Sequence, residues 1–307
     1  MNVDILLRAW YFSGRKAEPS SKIQLKNRIK YMLAVVKNYA VSVQIFDNQS
    51  ARIRHLLNQR PEYCQIMIAP YMNSSWGVNE RVCRFFNHLD ALDKFDGKFD
   101  FELSKCLLIY DFKSITFSGY RIVIDKPIWF HREGLLALNI CKSDVRIYTL
   151  PFSIETVGDD LEFIIGGIQG RNIDNMLDEY KIFTKLFYGI RPRDFLIETL
   201  RMLANILKVS RILAVSDECR HHRHPYFGKN SLRHLPANYN EIWMDRGGFR
   251  HSHSMFVLPL SSVRDIDAVA PKKRAMYKKR YELLRQIENE IAVSFSDLKP
   301  TPAVELK

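Results

Sequence analysis

A glycine-rich turn follows a predicted apolar strand at residues 161–165. It supplies Gly166, Gly167, Gln169, Gly170 and Arg171. Glycines let backbone amides approach an anion closely, and the glutamine and arginine side chains add hydrogen-bond donors. The turn therefore predicts a site for a phosphate-bearing ligand. The alternative is a tight turn that binds nothing.

A second turn with similar potential opens a predicted helix. Gly189 is followed by Arg191, Pro192 and Arg193, and Pro192 stands where a first helical residue is favoured. Amides at a helix N-terminus attract anions, and arginine pairs with phosphate through two hydrogen bonds. Gly189, Arg191 and Arg193 are thus further anion-binding candidates, unless the arginines serve surface ion pairs.

Two carboxylates lie on predicted strands. Glu162 belongs to the apolar run at residues 161–165, and Glu155 belongs to an alternating run at residues 145–157. Burial beside an apolar strand raises the pKa of a carboxyl group, as base catalysis at neutral pH requires. Both are candidate general bases, and the alternative is that both face solvent.

Six of the nine histidines lie between residues 221 and 253, shortly after Asp217, Glu218 and Cys219. Imidazole and carboxylate groups bind zinc, but the stretch has no HExxH motif and no cysteine pair with zinc-finger spacing. We therefore predict no metal site, and we expect a solvated polar loop whose charge responds to pH.

A strongly basic segment occupies residues 271–281. Its cations are Lys272, Lys273, Arg274, Lys278, Lys279 and Arg280. Tyr277, Tyr281 and Leu284 recur at helical spacing and form one face. Such a helix favours an anionic membrane leaflet, and nucleic acid is the less favoured partner because no nucleic-acid motif accompanies it. In a third interpretation, Arg274 and Arg280 pack against acidic loops.

These candidates belong to a predicted α+β chain with α/β features. Residues 1–100 are expected to be mostly helical, with a basic amphipathic helix at residues 22–39. Residues 101–265 are expected to form a mixed, mostly antiparallel sheet flanked by helices, and residues 266–307 a basic helix and tail. The predicted strands lie at 117–124, 135–140, 145–157, 161–165, 211–215 and 256–260. Further helices are predicted at 81–92, 172–187, from 192, and at 239–246, and residues 63–70 fit a helix or a strand.

The composition limits the classes of function. The 307 residues carry 46 Lys and Arg against 34 Asp and Glu, a net charge of +12 that suits an anionic partner. Five cysteines without a CxxC pair favour a reducing compartment. The first residues do not resemble a signal peptide, and no apolar run approaches the ~20 residues of a membrane span. We expect a cytoplasmic protein that contacts the inner membrane only at its periphery.

The order of predicted elements across residues 135–260 resembles the GNAT acyltransferase fold. In that fold the pyrophosphate of an acyl-CoA binds at the N-terminus of the helix after the central strand. The resemblance implies acyl-CoA or acyl carrier protein as a partner, held at residues 166–171 or 189–193. It also implies that Tyr239 protonates the leaving thiolate, with Glu162 or Glu155 as the base.

The C-terminal half resembles the VirK/YbjX family. The matching pieces are Ile165-Gly166-Gly167-Ile168-Gln169-Gly170, Thr184-Lys185, Tyr188-Gly189-Ile190-Arg191-Pro192, Ala214-Val215-Ser216, Tyr239 with Trp243 and Gly247, Leu258-Pro259, and Lys273-Arg274-Ala275 with Tyr277, Arg280 and Tyr281. The resemblance implies a Gram-negative protein linked to virulence, envelope integrity and antimicrobial-peptide resistance, without a settled activity. Asn240 and Asp245 stand where the family pattern has more acidic neighbours of Tyr239 and Trp243, so the chain departs from the family at that helix.

Two functions follow from these patterns. The first is an acyltransferase-like enzyme that modifies an envelope precursor from the cytoplasmic side. The second is a non-enzymatic, membrane-peripheral factor that assists the localisation or stability of an envelope protein.

Overall fold

The computed structural model describes residues 1–14, 21–47, 51–99, 101–112, 117, 119–228, 237–261 and 266–302. Its helices are α1 (Val3–Ser13), α2 (Ser21–Lys37), α3 (Tyr39–Phe46), α4 (Ala51–Gln59), α5 (Val78–Leu92), α6 (Met176–Leu186), α7 (Pro192–Ile206), α8 (Tyr239–Asp245) and α9 (Pro271–Ser294). Its strands are β1 (Lys105–Asp111), β2 (Tyr120–Asp125), β3 (Leu136–Lys142), β4 (Val145–Val157), β5 (Asp160–Ile165), β6 (Gln169–Gly170), β7 (Arg211–Val215), β8 (Phe249–Arg250), β9 (Met255–Leu258) and β10 (Thr301–Pro302).

The strands form one mixed sheet in the order β10-β1-β2-β3-β4-β5-β7-β9-β8, with β6 paired to β4. Strands β1 to β5 make an antiparallel meander. β5 and β7 are parallel, paired up to Ile165 and Ala214, and β9 runs antiparallel to β7. The α+β class and the mixed, mostly antiparallel sheet predicted from the sequence are confirmed.

Helices cover both faces of the sheet. Helices α6 to α9 share the larger core with one face, in which Trp243 of α8 is fully buried. Helices of the N-terminal region share a second core with the other face, which includes Ile164 of β5 and Leu213 of β7. The helical N-terminal region is thus a layer on the sheet. Of the five cysteines, only Cys83 on α5 is exposed.

The sequence pattern located most elements closely. The strand predicted at residues 145–157 forms β4 with those bounds, although Pro151 lies inside it. Proline lacks the N–H that a central strand needs. β5 ends opposite Phe152, so the chain beyond β5 begins to turn away at Pro151, whose carbonyl accepts from Gly166 N. The ambiguous segment at 63–70 forms a 3-10 helix, Pro61–Met67.

Helix α5 fastens the helical layer to the sheet through buried polar contacts. The backbone N–H of Ile154 lies 3.0 Å from His88 Nδ1. Asn87 accepts from the backbone of Thr156 at 2.7 Å, and Arg84 Nη1 lies 2.7 Å from Glu155 Oε2. Burial lowers the pKa of His88 to about 3, so its ring is neutral at pH 7.

Candidate functional site

A buried polar cluster lies at the carboxyl ends of the parallel strands β5 and β7. After β5, a Cβ atom on Gly166 would lie 1.9 Å from the backbone oxygen of Glu133, and one on Gly167 would lie 1.8 Å from its carboxylate. Only glycine allows this approach. After β7, two short 3-10 helices, Asp217–Cys219 and His221–Arg223, lead the chain to the same carboxylate. Ligands in α/β sheets commonly bind at this end of parallel strands.

The cluster consists of Glu133, His221 and His222. One ligand atom from each side chain lies within 4.8 Å of the other two. Glu133 and His221 are each 4% exposed, and His222 is half-buried. Gln169 Nε2 donates to Glu133 Oε1 at 3.1 Å.

Burial is the main cause of the pKa shifts in this cluster. It raises the pKa of Glu133 to about 7 and lowers the pKa of His222 to about 4. It also lowers the pKa of His221 well below its ordinary value, with His222 and nearby arginines adding to the effect. At pH 7 both rings are therefore neutral and carry a nitrogen lone pair.

Tyr239 lies beside this cluster in the larger core. Its hydroxyl accepts a hydrogen bond from the Ile168 N–H at 3.0 Å, and the Arg220 guanidinium stacks 3.8 Å from its ring centroid. Burial raises the pKa of Tyr239 well above its ordinary value. The phenol therefore keeps its proton at pH 7, as a proton donor must, and its role as an acid stays a prediction.

Glu155 and Glu162 face each other across β4 and β5 and are both buried. Each carboxylate has an arginine partner: Arg211 Nη2 lies 2.5 Å from Glu162 Oε1, and Arg84 Nη1 lies 2.7 Å from Glu155 Oε2. Burial raises the pKa of Glu155 to about 7, with Arg84 opposing the shift. Glu162 shares the sheet face of Ile164, whereas Tyr239 packs on the opposite face. The structure does not bring these candidates together with Tyr239.

The amides of the first predicted anion turn are used within the protein. Gly166 N donates to Pro151 O, Ile168 N to the Tyr239 hydroxyl, and Arg171 N to Ile147 O. Gly170 pairs with β4 through β6, and the Tyr180 hydroxyl closes over it. These contacts favour the second turn over the first as the place for an anion.

The second turn borders a cavity of about 450 Å³ between α7, α9 and the turn after α8. Gly189 has a φ of +79°, a conformation that favours glycine. A Cβ atom there would also lie only 2.9 Å from Arg280 Nη2. Arg191 is exposed, and Arg193 Nε pairs with Asp194 at 3.0 Å. The charged and aromatic lining residues are Arg201, Arg246, Arg280, Arg285, Tyr277, Tyr281, Glu198, Asp245 and Glu288. We call this space the arginine cavity.

Helix α9 turns its predicted aromatic face inward. Tyr277, Tyr281 and Leu284 line the arginine cavity, and Ile287 is fully buried. Both Arg280 donors reach the carbonyl of Tyr188, at 2.8 and 3.0 Å.

The predicted cations of α9 divide into two groups. Arg274 Nε donates to Val269 O at 2.9 Å, and its Nη1 lies 3.6 Å from Asp267. Arg274 thus lies near an acidic loop residue, as the third interpretation expected, whereas Arg280 binds the backbone carbonyl of Tyr188. The cations that remain exposed are Lys272, Lys273, Lys278 and Lys279.

Helix α2 presents the opposite arrangement. A row of apolar residues on its outer side is 44–65% exposed: Leu25, Ile29, Leu33 and Val36. We call these four residues the outer row. Their spacing places them within one quarter of the helix circumference. Lys26, Lys30 and Lys37 are exposed along one side of the row, and residues 21–37 contain no acidic residue.

Helix α1 lies beside α2 and exposes apolar residues of its own. Val3, Leu7 and Tyr11 follow one another at one-turn spacing and are 52–66% exposed. The Arg28 guanidinium of α2 stacks 3.9 Å from the Trp10 ring centroid and donates to the Trp10 carbonyl at 2.8 Å. This contact joins the two helices.

The histidine stretch is only partly the solvated loop that the sequence predicted. His251 and His253 are exposed, but that expectation is wrong for His221, which is buried beside Glu133. His234 lies outside the described residues. Sequence reasoning missed Glu133, which belongs to no motif. The signal that pointed to it was the pair Gly166 and Gly167, since adjacent glycines after a buried strand indicate a close neighbour.

None of the helices in the described part of the chain combines the length and apolar character that a membrane crossing requires. A search of solved structures finds no significant match.

Relatives are found among curated proteins. The chain is 35% identical over 133 residues to the uncharacterised protein YbjX of Escherichia coli, which is 43% of this chain and 40% of that protein. It is 29% identical over 161 residues to an uncharacterised protein of Haemophilus influenzae, covering 52% of each. The chain thus spans about half the length of these relatives. A third, the membrane protein LapB of Mannheimia haemolytica, is 21% identical over 210 residues, which cover 66% of this chain and 85% of LapB.

The family model described as a protein of unknown function, DUF535, matches residues 20–293. This range contains the outer row, the Glu133 cluster and the arginine cavity. Together with the YbjX match it confirms the predicted family resemblance, and the chain belongs to the DUF535 family.

Proposed function

We propose that this protein is a peripheral factor of the bacterial envelope that binds the anionic inner-membrane leaflet through α1 and α2. The observation that carries the proposal is the outer row, an exposed apolar stripe bordered by lysines on a helix that contains no acidic residue. A helix of this kind lies in the plane of the membrane interface, with its apolar side chains among the acyl chains. We place the contact on the cytoplasmic side.

The expected strength of this contact is moderate. Each half-exposed side chain of the outer row contributes about 1 kcal/mol on burial, and each bordering lysine about 1 kcal/mol near an anionic surface. The total of about 7 kcal/mol corresponds to a dissociation constant on the order of 10 µM. Binding of this strength is reversible and suits a factor that acts on or beside the membrane.

The relative LapB supports an envelope role because it is described as a membrane protein. The roles in virulence and antimicrobial-peptide resistance that the family resemblance implied stay predictions.

Vesicle sedimentation tests the proposal. The full chain should sediment with vesicles of phosphatidylethanolamine and phosphatidylglycerol, and 1 M salt should weaken the binding by screening the lysines. The double variant Ile29→Ser, Leu33→Ser should bind at least tenfold more weakly. Val293→Ser is the matched control, since Val293 on α9 is 81% exposed but lies outside the outer row. Equal binding by wild type and double variant would remove the basis of the proposal.

A second candidate function is acyl-donor binding in the arginine cavity. The cavity combines four arginines with two tyrosines beside the turn at Gly189, and about 450 Å³ accommodates part of an acyl-CoA or the arm of an acyl carrier protein. Among the four arginines, Arg285 is exposed and offers its guanidinium to a phosphate, while Tyr277 and Tyr281 offer ring surface to apolar groups. The acyltransferase interpretation therefore remains a proposal that rests on this cavity. Tyr239, the predicted acid, is not among the residues that line it.

Calorimetry with acyl-CoA and with acylated carrier protein tests this candidate. Arg285→Gln should weaken binding about tenfold, because it removes a positive charge from the cavity lining. Arg285 is exposed, so its replacement should leave the fold intact. Lys279→Gln removes the same charge outside the cavity lining and should bind as the wild type does. Absence of heat with both donors rejects acyl-donor binding, while vesicle binding is unaffected by that result.

A further inference from the structure

We propose that Glu133, His221 and His222 bind a divalent transition metal ion of the zinc class. The three side chains offer two imidazole nitrogens and one carboxylate oxygen, a ligand set typical of zinc sites that keep a fourth position for water or another ligand. This inference is independent of the membrane contact, which lies on other elements.

The geometry requires only small movements. The three ligand atoms lie within 4.8 Å of one another. Zinc bonds of about 2.1 Å place tetrahedral ligands about 3.4 Å apart, so side-chain rotations are enough to close the site. The two histidine rings are already in contact, with centroids 3.7 Å apart, and Phe227 packs against both.

The surroundings resemble those of a metal centre. Gln169 donates to the carboxylate of Glu133, and such an outer contact orients a metal-ligating group. Gly167 packs against the same carboxylate, and Gly166 packs against the backbone carbonyl of Glu133. Glu133 is buried, yet no lysine or arginine of the described residues lies within 4.0 Å of its oxygens. A bound metal ion would place a positive charge in direct contact with this carboxylate, which Arg220 influences only from a greater distance.

Two nearby guanidinium groups oppose a cation, and both are engaged elsewhere. Arg220 Nη1 donates to Ala237 O at 2.9 Å and lies 3.4 Å from Asp217 Oδ1. Arg132 Nη2 donates to Gln65 Oε1 at 2.9 Å. Their repulsion lowers the affinity for a metal, but neither side chain takes the place of the ion.

Zinc titration of the full chain tests the inference. After dialysis against a chelator, calorimetry should show one zinc ion per chain. Glu133→Gln and His222→Asn should each weaken binding at least tenfold, whereas His253→Asn, an exposed histidine of the same stretch, should bind as the wild type does. Zinc should also raise the Tm of the wild type and leave that of Glu133→Gln unchanged.

Two outcomes overturn the proposal. One is a wild-type chain that takes up less than one equivalent of zinc. The other is undiminished stoichiometric binding in a folded Glu133→Gln or His222→Asn variant. His222 is half-buried, so its variant keeps the test decisive if replacement of the buried Glu133 prevents folding. The absorption of Co²⁺ in the wild type, lost in His222→Asn, gives a second readout.

Discussion

The two basic helices α2 and α9 place their apolar stripes in opposite ways. Both carry clustered lysines and an apolar stripe, but α9 also contains Glu282, Glu288 and Glu290, whereas α2 contains no acidic residue. In α9 the stripe faces the protein, where Ile287 and Ile291 are fully buried. In α2 the inner side holds Tyr31 and Val35, and the outer row remains exposed on the other side.

The difference shows what periodicity alone leaves undecided. A single apolar stripe satisfies a helix that packs on one neighbour, and α9 has one, directed at α7 and the sheet. A second apolar stripe on the opposite side of a helix gains nothing from packing within the fold. Because α2 keeps an exposed apolar row, we expect its surface to bind a partner outside the chain.

The largest expected effect is a difference in the free energy of unfolding between variants of the two stripes. Ile287→Ala on α9 removes a fully buried side chain and should lower the free energy of unfolding by about 2–4 kcal/mol. Leu33→Ala in the outer row should change it by less than about 0.5 kcal/mol. Urea unfolding measures both, and a large loss for Leu33→Ala would show that the outer row packs within the protein.

A matched pair of charge variants compares the lysines. Two double variants each remove two exposed positive charges. The α2 pair is Lys26→Gln with Lys30→Gln, and the α9 pair is Lys278→Gln with Lys279→Gln. The α2 pair should weaken vesicle binding by about 2 kcal/mol, or about 30-fold, because those lysines border the membrane contact. The α9 pair should have a much smaller effect. Equal losses would indicate attraction by net charge, without a defined face.

Arg280 tests the structural role of α9. Its two hydrogen bonds to the Tyr188 carbonyl hold the helix against the turn at Gly189. Arg280→Gln should cost about 1–2 kcal/mol of stability, since it leaves that carbonyl without its partner. The neighbouring exposed Lys279→Gln should cost almost nothing. If both variants unfold at the wild-type urea concentration, Arg280 is not a structural arginine.

Acid should loosen the layer that carries α2. His88 has a folded pKa of about 3 against an ordinary 6.5, so the unfolded chain binds the extra proton between these values. The contribution of neutral His88 to the free energy of unfolding is therefore complete above pH 6.5. It decreases by about 1.4 kcal/mol per pH unit as the pH falls toward 3. The difference in stability between wild type and His88→Gln should shrink accordingly from pH 6 to pH 4. A constant difference across urea titrations at these pH values would mean that His88 is not the titrating group.

The sequence predicted elements best where apolar runs are continuous. Residues 211–215 were expected as a strand and form β7 with those bounds, and Pro192 begins α7 as expected. Residues 117–124 were placed too early, since β2 begins at Tyr120. The boundary of a strand depends on its partner, here β3, and no local signal marks it.

The candidate site was predictable only in fragments. Gly166 and Gly167 were noticed for their lack of side chains, but the group that fills the space, Glu133, is 33 residues away in the chain. His221 and His222 arrive from a further strand. Their meeting results from the parallel pairing of β5 and β7, a long-range feature that spacing within one motif does not encode.

The solvent exposure of Cys83 has a practical consequence. Because the other four thiols are buried, a maleimide dye or nitroxide reagent should attach at one position on the native chain. Cys83 stands on α5, the helix that joins the α2 side to the sheet. A label there reports the distance and orientation of this side relative to a bilayer, without any engineered cysteine.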